Sequence, residues 1–504
     1  MLDLAQNVTN TSVEWHALSP ELVLTAAACL VLVADLFLPN DAKWIAMPLA
    51  AAGILGTLAA IVSLIGTPDR TTLSGAFEIN SFALAFKTLF CLLGLLILAI
   101  SFHYFRSGPY YQGEYYFLLL CALLGGIVMS SARDLISIFI AIELISVPGF
   151  IMSGLRKGDA KSNEGALKFF LFGVLSSAVM LYGMSLIYGV TGEVLLDRIR
   201  EQLDGGLADD PIIVLSVFFV VVGFAFKISA VPFHFWAPDT YEGAPSPVAA
   251  FLSTASKIGG FVGLVVLLFR AFPDVADGWR PIFALLAVLT MTVGNFIALR
   301  QKHIIRLLAY SGIAQSGYVL VALALIDSGS PLTNAQAFQS ALIYLGIYGI
   351  MDLGAFAAAV GFGQQRGSYF ISDYSGLWQR SPVLAIFLAG FLISLAGAPP
   401  MAGAWAKLFV FLAAINAEVY WLAIVMGVNA VVALWYYLLV VARMFFQKPE
   451  SDESVEVPYL MRAAMGVAAA ALLAAFIYPP LITEIAESSM DLTSLPSDVA
   501  SLEN

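Results

Sequence analysis

Glu143, Lys227, Lys257 and Lys407 each stand inside a long apolar stretch of the chain. A charged side chain at mid-membrane costs at least about 2.5–3.5 kcal/mol, so residues kept there face a protein interior or a water path and serve a function. Lysines and carboxylates both accept and release protons, and a file of them with intervening water is what a proton relay requires. The alternative is a static buried ion pair that fixes helix packing. Asp352 is a fifth charge of this kind. Lys87 lies only about one turn inside its stretch, so its stem is expected to snorkel to the surface. Glu164 and Lys168, four residues apart at the start of a stretch, have the spacing of a helical ion pair and are equally placed as a relay entrance. His234 titrates near neutral pH and is placed either to pass protons between Lys227 and Lys257 or to bond the backbone of a loop. His303, beside Lys302 and Arg306, reads as interfacial.

Two of the lysines adjoin helix-breaking sequence. Lys227 is followed by Pro232, Pro238, Pro245 and Pro247, and Lys407 is preceded by Gly397, Pro399, Pro400 and Gly403. Proline removes a helical hydrogen bond, and unwound backbone at membrane depth survives only where protein buries it or where it lines a cavity. Matching interruptions in two halves of a chain point to inverted-repeat transport proteins with the ion site at the break.

The elements that must position these residues are membrane-spanning helices. Of 504 residues, 60% are hydrophobic and 12% charged, and the mean hydropathy is +0.89, whereas soluble domains run at about 45–50% apolar and about 25% charged. Runs of about 20 apolar residues predict about fourteen spans: 18–38, 44–66, 82–101, 114–131, 135–154, 165–190, 211–233, 247–270, 281–299, 303–326, 337–361, 382–413, 418–446 and 460–478. No polar stretch is long enough for a soluble domain. Seams divide the chain into a three-helix group over 1–112, repeats over 113–275 and 276–447, and a final linker, span and tail over 448–504.

With the N-terminus outside, thirteen Lys and Arg fall in inner loops and six in outer loops, which places both termini outside. The remaining five of the 24 basic residues lie in spans. The net charge of −11 would argue against a nucleic acid partner in a soluble protein, since phosphate contacts need clustered Lys and Arg. It carries little weight here because most acids sit in loops and in the tail from Glu484 to Glu503; no nucleic acid partner is expected. Cys29, Cys91 and Cys121 stand singly, without the spacing of a zinc or iron–sulfur site, so any electron transfer belongs to another chain. No Lys or Arg precedes Lys43, so insertion is expected to start from the first span. The N-V-T and N-T-S triplets at Asn7 and Asn10 match a glycosylation pattern that is frequent by chance.

The segments DLISIFIAIELISVPGFIMSG (134–154), KSNEGALKFFLFG (161–173), FKISAVPFHFWAPDTYEGAPSPVAAFLSTASK (226–257), RLLAYSGIAQSGY (306–318) and GAPPMAGAWAK (397–407) resemble the N-subunit family of bacterial respiratory complex I, which has homologues in mitochondrial NADH dehydrogenase (its subunit 2) and in the chloroplast NAD(P)H-quinone oxidoreductase. The resemblance runs from about 113 to 446. It implies an all-α polytopic protein of about fourteen helices with two inverted five-helix repeats, each containing a broken helix. It further implies that Glu143 partners Lys227, that Lys257 and Lys407 are central and exit-side lysines, and that Lys168 and Glu164 belong to the first half-channel. It implies no cofactor on this chain, with NADH, FMN, iron–sulfur clusters and quinone on partner subunits. Its partners would be other membrane-arm subunits in a bacterial inner membrane. The chain departs from the family pattern at Ile305, where a Lys-Arg pair is usual, at Gly312, where a second Ser is usual, and in Gly403-Ala404-Trp405-Ala406-Lys407, where G-F-x-G-K is usual. The competing readings are a subunit of a cation/proton antiporter and a non-conducting scaffold.

Overall fold

A computed structural model describes residues 13–489 apart from 109, 111, 208–209, 327–330 and 450–453; Asn7, Asn10 and the end of the acidic tail lie outside the described residues. The chain is helical almost throughout. Helix α1 covers Ser19–Phe37, α2 Ala46–Leu64, α3 Ser81–Ser107, α4 Gln112–Ser131, α5 Leu135–Ser153 and α6 Ala160–Thr191. After the short α7 (Leu196–Gln202) come α8 (Pro211–Lys227), α9 (Trp236–Gly243), α10 (Ser246–Ser253) and α11 (Ala255–Ala271). Then follow α12 (Ala276–Ala298), α13 (Ile304–Ala324), α14 (Pro331–Arg366), α15 (Leu377–Arg380), α16 (Pro382–Ala396), α17 (Gly403–Asn416), α18 (Tyr420–Phe446), α19 (Tyr459–Ile477) and α20 (Pro480–Ser488).

Helix starts follow local chemistry. Asn80 caps α3 by accepting from Ala83 N at 2.9 Å, and Asp134 caps α5 by accepting from Ile136 N and Ser137 N. Asp159 and Asp210 cap α6 and α8 in the same way, satisfying amides that lipid could not. Among the described residues, twelve helices are long and apolar enough to span a membrane.

Two polar clusters define the faces of the bundle. On one, Glu78 binds Arg133 at 2.7 Å and also pairs with Arg270, which reaches Asp197. A small hairpin, β1 (Arg70–Thr72) with β2 (Phe77–Ile79), presents Glu78 to these arginines. On the other face, Asp239 and Glu242 meet Lys161, Lys168 and Arg306. The chain therefore crosses between α7 and α9 although α8 is short. It crosses again through α16 and α17: Gly376 N donates to Arg443 O on one side, and Asn416 bonds Gln336 on the other. These two broken crossings bring the total to fourteen among the described residues, in the places the sequence predicts.

The core is the set α10–α11, α13 and α14, buried along nearly their whole length, whereas α1, α2, α6, α18 and α19 bury one face only. Their outer faces carry exposed Leu171, Leu175, Val431, Trp435 and Ile477, the surface expected against hydrocarbon. A third interruption was not anticipated from sequence. At Thr254 (φ −109°, ψ −90°) the predicted span 247–270 divides into α10 and α11 with no proline at the joint.

Candidate functional site

The break between α16 and α17 leaves backbone groups that a lysine uses. Gly397 (φ +82°) ends α16 in the left-handed conformation that glycine adopts without strain. Lys407, in the first turns of α17, donates from Nζ to Leu395 O at 3.1 Å and Ala396 O at 2.8 Å. These are terminal carbonyls of α16, the negative end of its dipole, so unwinding creates the cation site. The ammonium also lies 4.7 Å from the Tyr318 ring centroid, over its face.

Lys227 ends α8 and is buried, with Nζ donating to Ser146 Oγ on α5 at 2.9 Å. The expected contact with Glu143 is not closed. Glu143 is half-buried and accepts from Ser177 on α6, and among the described residues no ion pair within 4.0 Å joins it to Lys227. Glu143 and Ser146 are three residues apart on α5, so the carboxylate and the lysine's partner are neighbours on one helix face.

Lys257 sits just past the Thr254 joint, fully buried, and no hydrogen-bond partner for its Nζ is present among the described residues. From there a band of polar side chains crosses the core toward Lys407. Ser253 Oγ donates to Asp352 Oδ2 at 2.6 Å, and Tyr348 OH donates to Ser253 O at 2.7 Å. Further along, Ser311 bonds Tyr437, Tyr344 donates to Gln315 Oε1, and Gln315 Nε2 donates to Leu395 O at 2.8 Å. Leu395 O is the carbonyl that also receives Lys407, so the band ends on the second lysine. Tyr344, Tyr348 and Asp352 form one stripe on α14, and Ser311 and Gln315 one stripe on α13, each at four-residue spacing. Sequence reasoning did not nominate Ser253, Ser311, Gln315, Tyr344, Tyr348 or Tyr437. For Ser311 with Gln315, and for Tyr344 with Tyr348, the signal was polar residues repeating at i, i+4 within spans.

Glu164 and Lys168 do form the four-residue ion pair, at 2.6 Å. Lys168 also binds Asp239 at 2.7 Å, which Arg306 holds from the other side at 2.9 Å. Glu164, Asp239 and Arg306, with Lys161 and Glu242, line a charged crevice of 190 Å³. His234 is buried in the turn before α9, its ring against Phe235. Among the described residues no hydrogen bond joins it to Lys227 or Lys257.

Lys87 corrects the snorkelling expectation. It is completely buried, its Nζ 2.7 Å from Glu21 Oε1 on α1 and 4.9 Å from the Phe77 ring centroid. Its head group meets Glu21 of α1 and the Phe77 ring of the hairpin instead of the surface. Glu21, missed because it opens the first span, is its counter-charge.

The family of NADH:quinone oxidoreductase and Mrp antiporter membrane subunits matches residues 132–433. NADH-quinone oxidoreductase subunit N of Moorella thermoacetica is 40% identical over 94% of this chain and 98% of its own length. A chain of respiratory complex I from Thermus thermophilus superposes with a TM-score of 0.77 at 29% identity, covering 93% of this chain and 99% of that one. A chain of the Mrp complex from Dietzia shares the fold, with a TM-score of 0.83 at 19% identity over 96% of this chain and 98% of that one. A family match spanning the lysine axis, with 40% identity over nearly the whole length of a relative, places this multi-pass membrane protein in the subunit N family of NADH-quinone oxidoreductase.

Proposed function

We propose that the chain translocates protons as an antiporter-like subunit of NADH:quinone oxidoreductase, through Glu143, Lys227, Lys257 and Lys407. The observation that supports this most is the series of buried polar side chains set between Lys257 and Lys407 in the core, the last of them sharing Leu395 O with Lys407. Protons enter at the charged crevice of Glu164, Asp239 and Arg306, where Lys168 pairs with both carboxylates, load Lys227 and Lys257, and leave beyond Lys407. NADH, FMN, iron–sulfur clusters and quinone belong to partner subunits, and the other membrane-arm subunits are its neighbours. The relative named subunit N favours this reading over a free-standing antiporter.

The drive is a change in the separation of Glu143 and Lys227. Two opposite charges 4 Å apart attract by about 4 kcal/mol at an effective dielectric near 20. Moving one charge against 100 mV costs about 2.3 kcal/mol. Closing and opening this pair therefore spans enough energy to move a proton into an energised compartment. Glu143→Gln is expected to lower proton uptake and coupled quinone reduction by about tenfold while the complex stays assembled. Native uptake in that variant reduces Glu143 to packing.

The chain lies in a bacterial inner membrane with both termini on the outer face, supported by the excess of basic residues in alternate loops. The charged crevice then opens inward. A cytoplasmic reporter fused after Asn504 is expected to be inactive, and an active fusion reverses the orientation.

A further inference from the structure

Lys257 and Asp352 face each other in the middle of the core, each completely buried and each with unused hydrogen-bonding capacity. Lys257 Nζ has no partner among the described residues, and neither does Asp352 Oδ1. Between them stand two hydroxyls. A Cβ built on Gly312 would lie 3.0 Å from Lys257 Nζ, 3.0 Å from Tyr348 OH and 3.1 Å from Ser253 Oγ. Two atoms 3.0 Å from one point are at most 6.0 Å apart, so the lysine and the tyrosine hydroxyl border one small space. Both hydroxyls also lie beside Asp352 Oδ2, Ser253 Oγ at 2.6 Å and Tyr348 OH at 3.4 Å. Gly312 is where the family pattern usually has a serine; here the glycine keeps this space clear, and Ser253 and Tyr348 supply the hydroxyls around it.

A buried pair that serves only to hold helices gains most when its charges touch and every donor and acceptor is used, because each unused buried group costs stability. Lys257 and Asp352 do neither. Hydroxyls between a donor and an acceptor both donate and accept, so they can pass a proton without moving far. We propose that Asp352 is a relay group of this subunit, taking the proton that Lys257 releases. In that step an Nζ–H bond breaks and an O–H bond forms on Asp352. The ammonium–carboxylate pair becomes a neutral amine and a neutral carboxylic acid, so charge and atoms balance. Asp352 lies on the α14 stripe with Tyr344 and Tyr348, so the proton has by then reached the band that ends on Lys407. The groups whose charge Asp352 meets are Lys257 on α11, Tyr241 on α9, Tyr348 on its own helix and Tyr437 on α18. Lys257 is the only cation among them.

The inference rests on the proton-relay reading of Lys257, and the test separates the two. Purified complexes carrying Asp352→Asn, Asp352→Glu or Lys257→Ala are sealed into vesicles and their initial proton uptake is compared with native. Asp352→Asn keeps the shape and its hydrogen bonds but cannot carry a proton, and is expected to lose uptake by about tenfold or more. Asp352→Glu is expected to retain a measurable part. Infrared difference spectra during turnover add a readout that a packing role would not move. A carboxylic acid band sensitive to deuterium is expected in the native complex, absent in Asp352→Asn and displaced in Asp352→Glu. Should the Asn complex fail to assemble, the displacement in Asp352→Glu decides alone. Native uptake in Asp352→Asn with a dead Lys257→Ala complex, or an unmoved band in Asp352→Glu, overturns the assignment of Asp352 and leaves the lysine relay standing. Native uptake in Lys257→Ala as well overturns the relay itself.

Discussion

Lys407→Arg is expected to abolish coupled quinone reduction as fully as Lys407→Ala. The native ammonium is held by Leu395 O and Ala396 O at the end of α16 and by the face of Tyr318. A guanidinium can keep those carbonyls and the positive charge, so a fixed electrostatic role would survive the change. Conduction asks for more, because the residue must lose its proton and regain it in each cycle. Arginine is deprotonated in no more than about one molecule in 10⁵ at neutral pH. If Arg supports turnover where Ala does not, Lys407 is an anchor for the broken helix rather than a carrier.

Glu21→Leu is expected to destabilise the protein by about 3–5 kcal/mol, because it leaves the Lys87 ammonium buried without a counter-charge. Lys87 has no exposed surface, and its Nζ is 2.7 Å from the carboxylate that the substitution removes. The double variant Glu21→Leu with Lys87→Met removes both charges and fills the space with apolar atoms, and is expected to return close to native stability. The unfolding midpoint and the yield of assembled complex measure both. A double variant as damaged as the single one would give the pair a role beyond balancing its own burial.

Much of this architecture was legible in sequence, since hydrocarbon forces backbone groups into helices and so converts apolar run length into spans. The breaks beside Lys227 and Lys407 were legible because glycine and proline act locally. Yet Pro148 lies inside α5 and Pro281 inside α12 without dividing either helix, and Thr254 divides α10 from α11 with neither residue. A helix in a packed core bends where its neighbours require it, which one segment's composition does not encode. The depth of Lys87 was misread for a related reason: position along a span sets how far a side chain is from the surface, but not whether α1 stands in its way. Glu143 and Lys227 were expected in contact, and the competing hydroxyls of Ser177 and Ser146 were invisible among ordinary span residues. The band from Ser253 to Tyr437 escaped for the same reason. Serine, glutamine and tyrosine in a helix announce a path only when facing helices align their polar ends.

Whether protons cross the membrane through this chain's buried lysines is decided at Lys407. Sealed vesicles containing the assembled native, Lys407→Ala and Lys407→Arg complexes are supplied with electron donor and quinone, and initial proton uptake is measured per assembled complex. The relay predicts rapid uptake in the native vesicles and near-background uptake in both variants. Native uptake with arginine at 407, alongside loss with alanine, would contradict it.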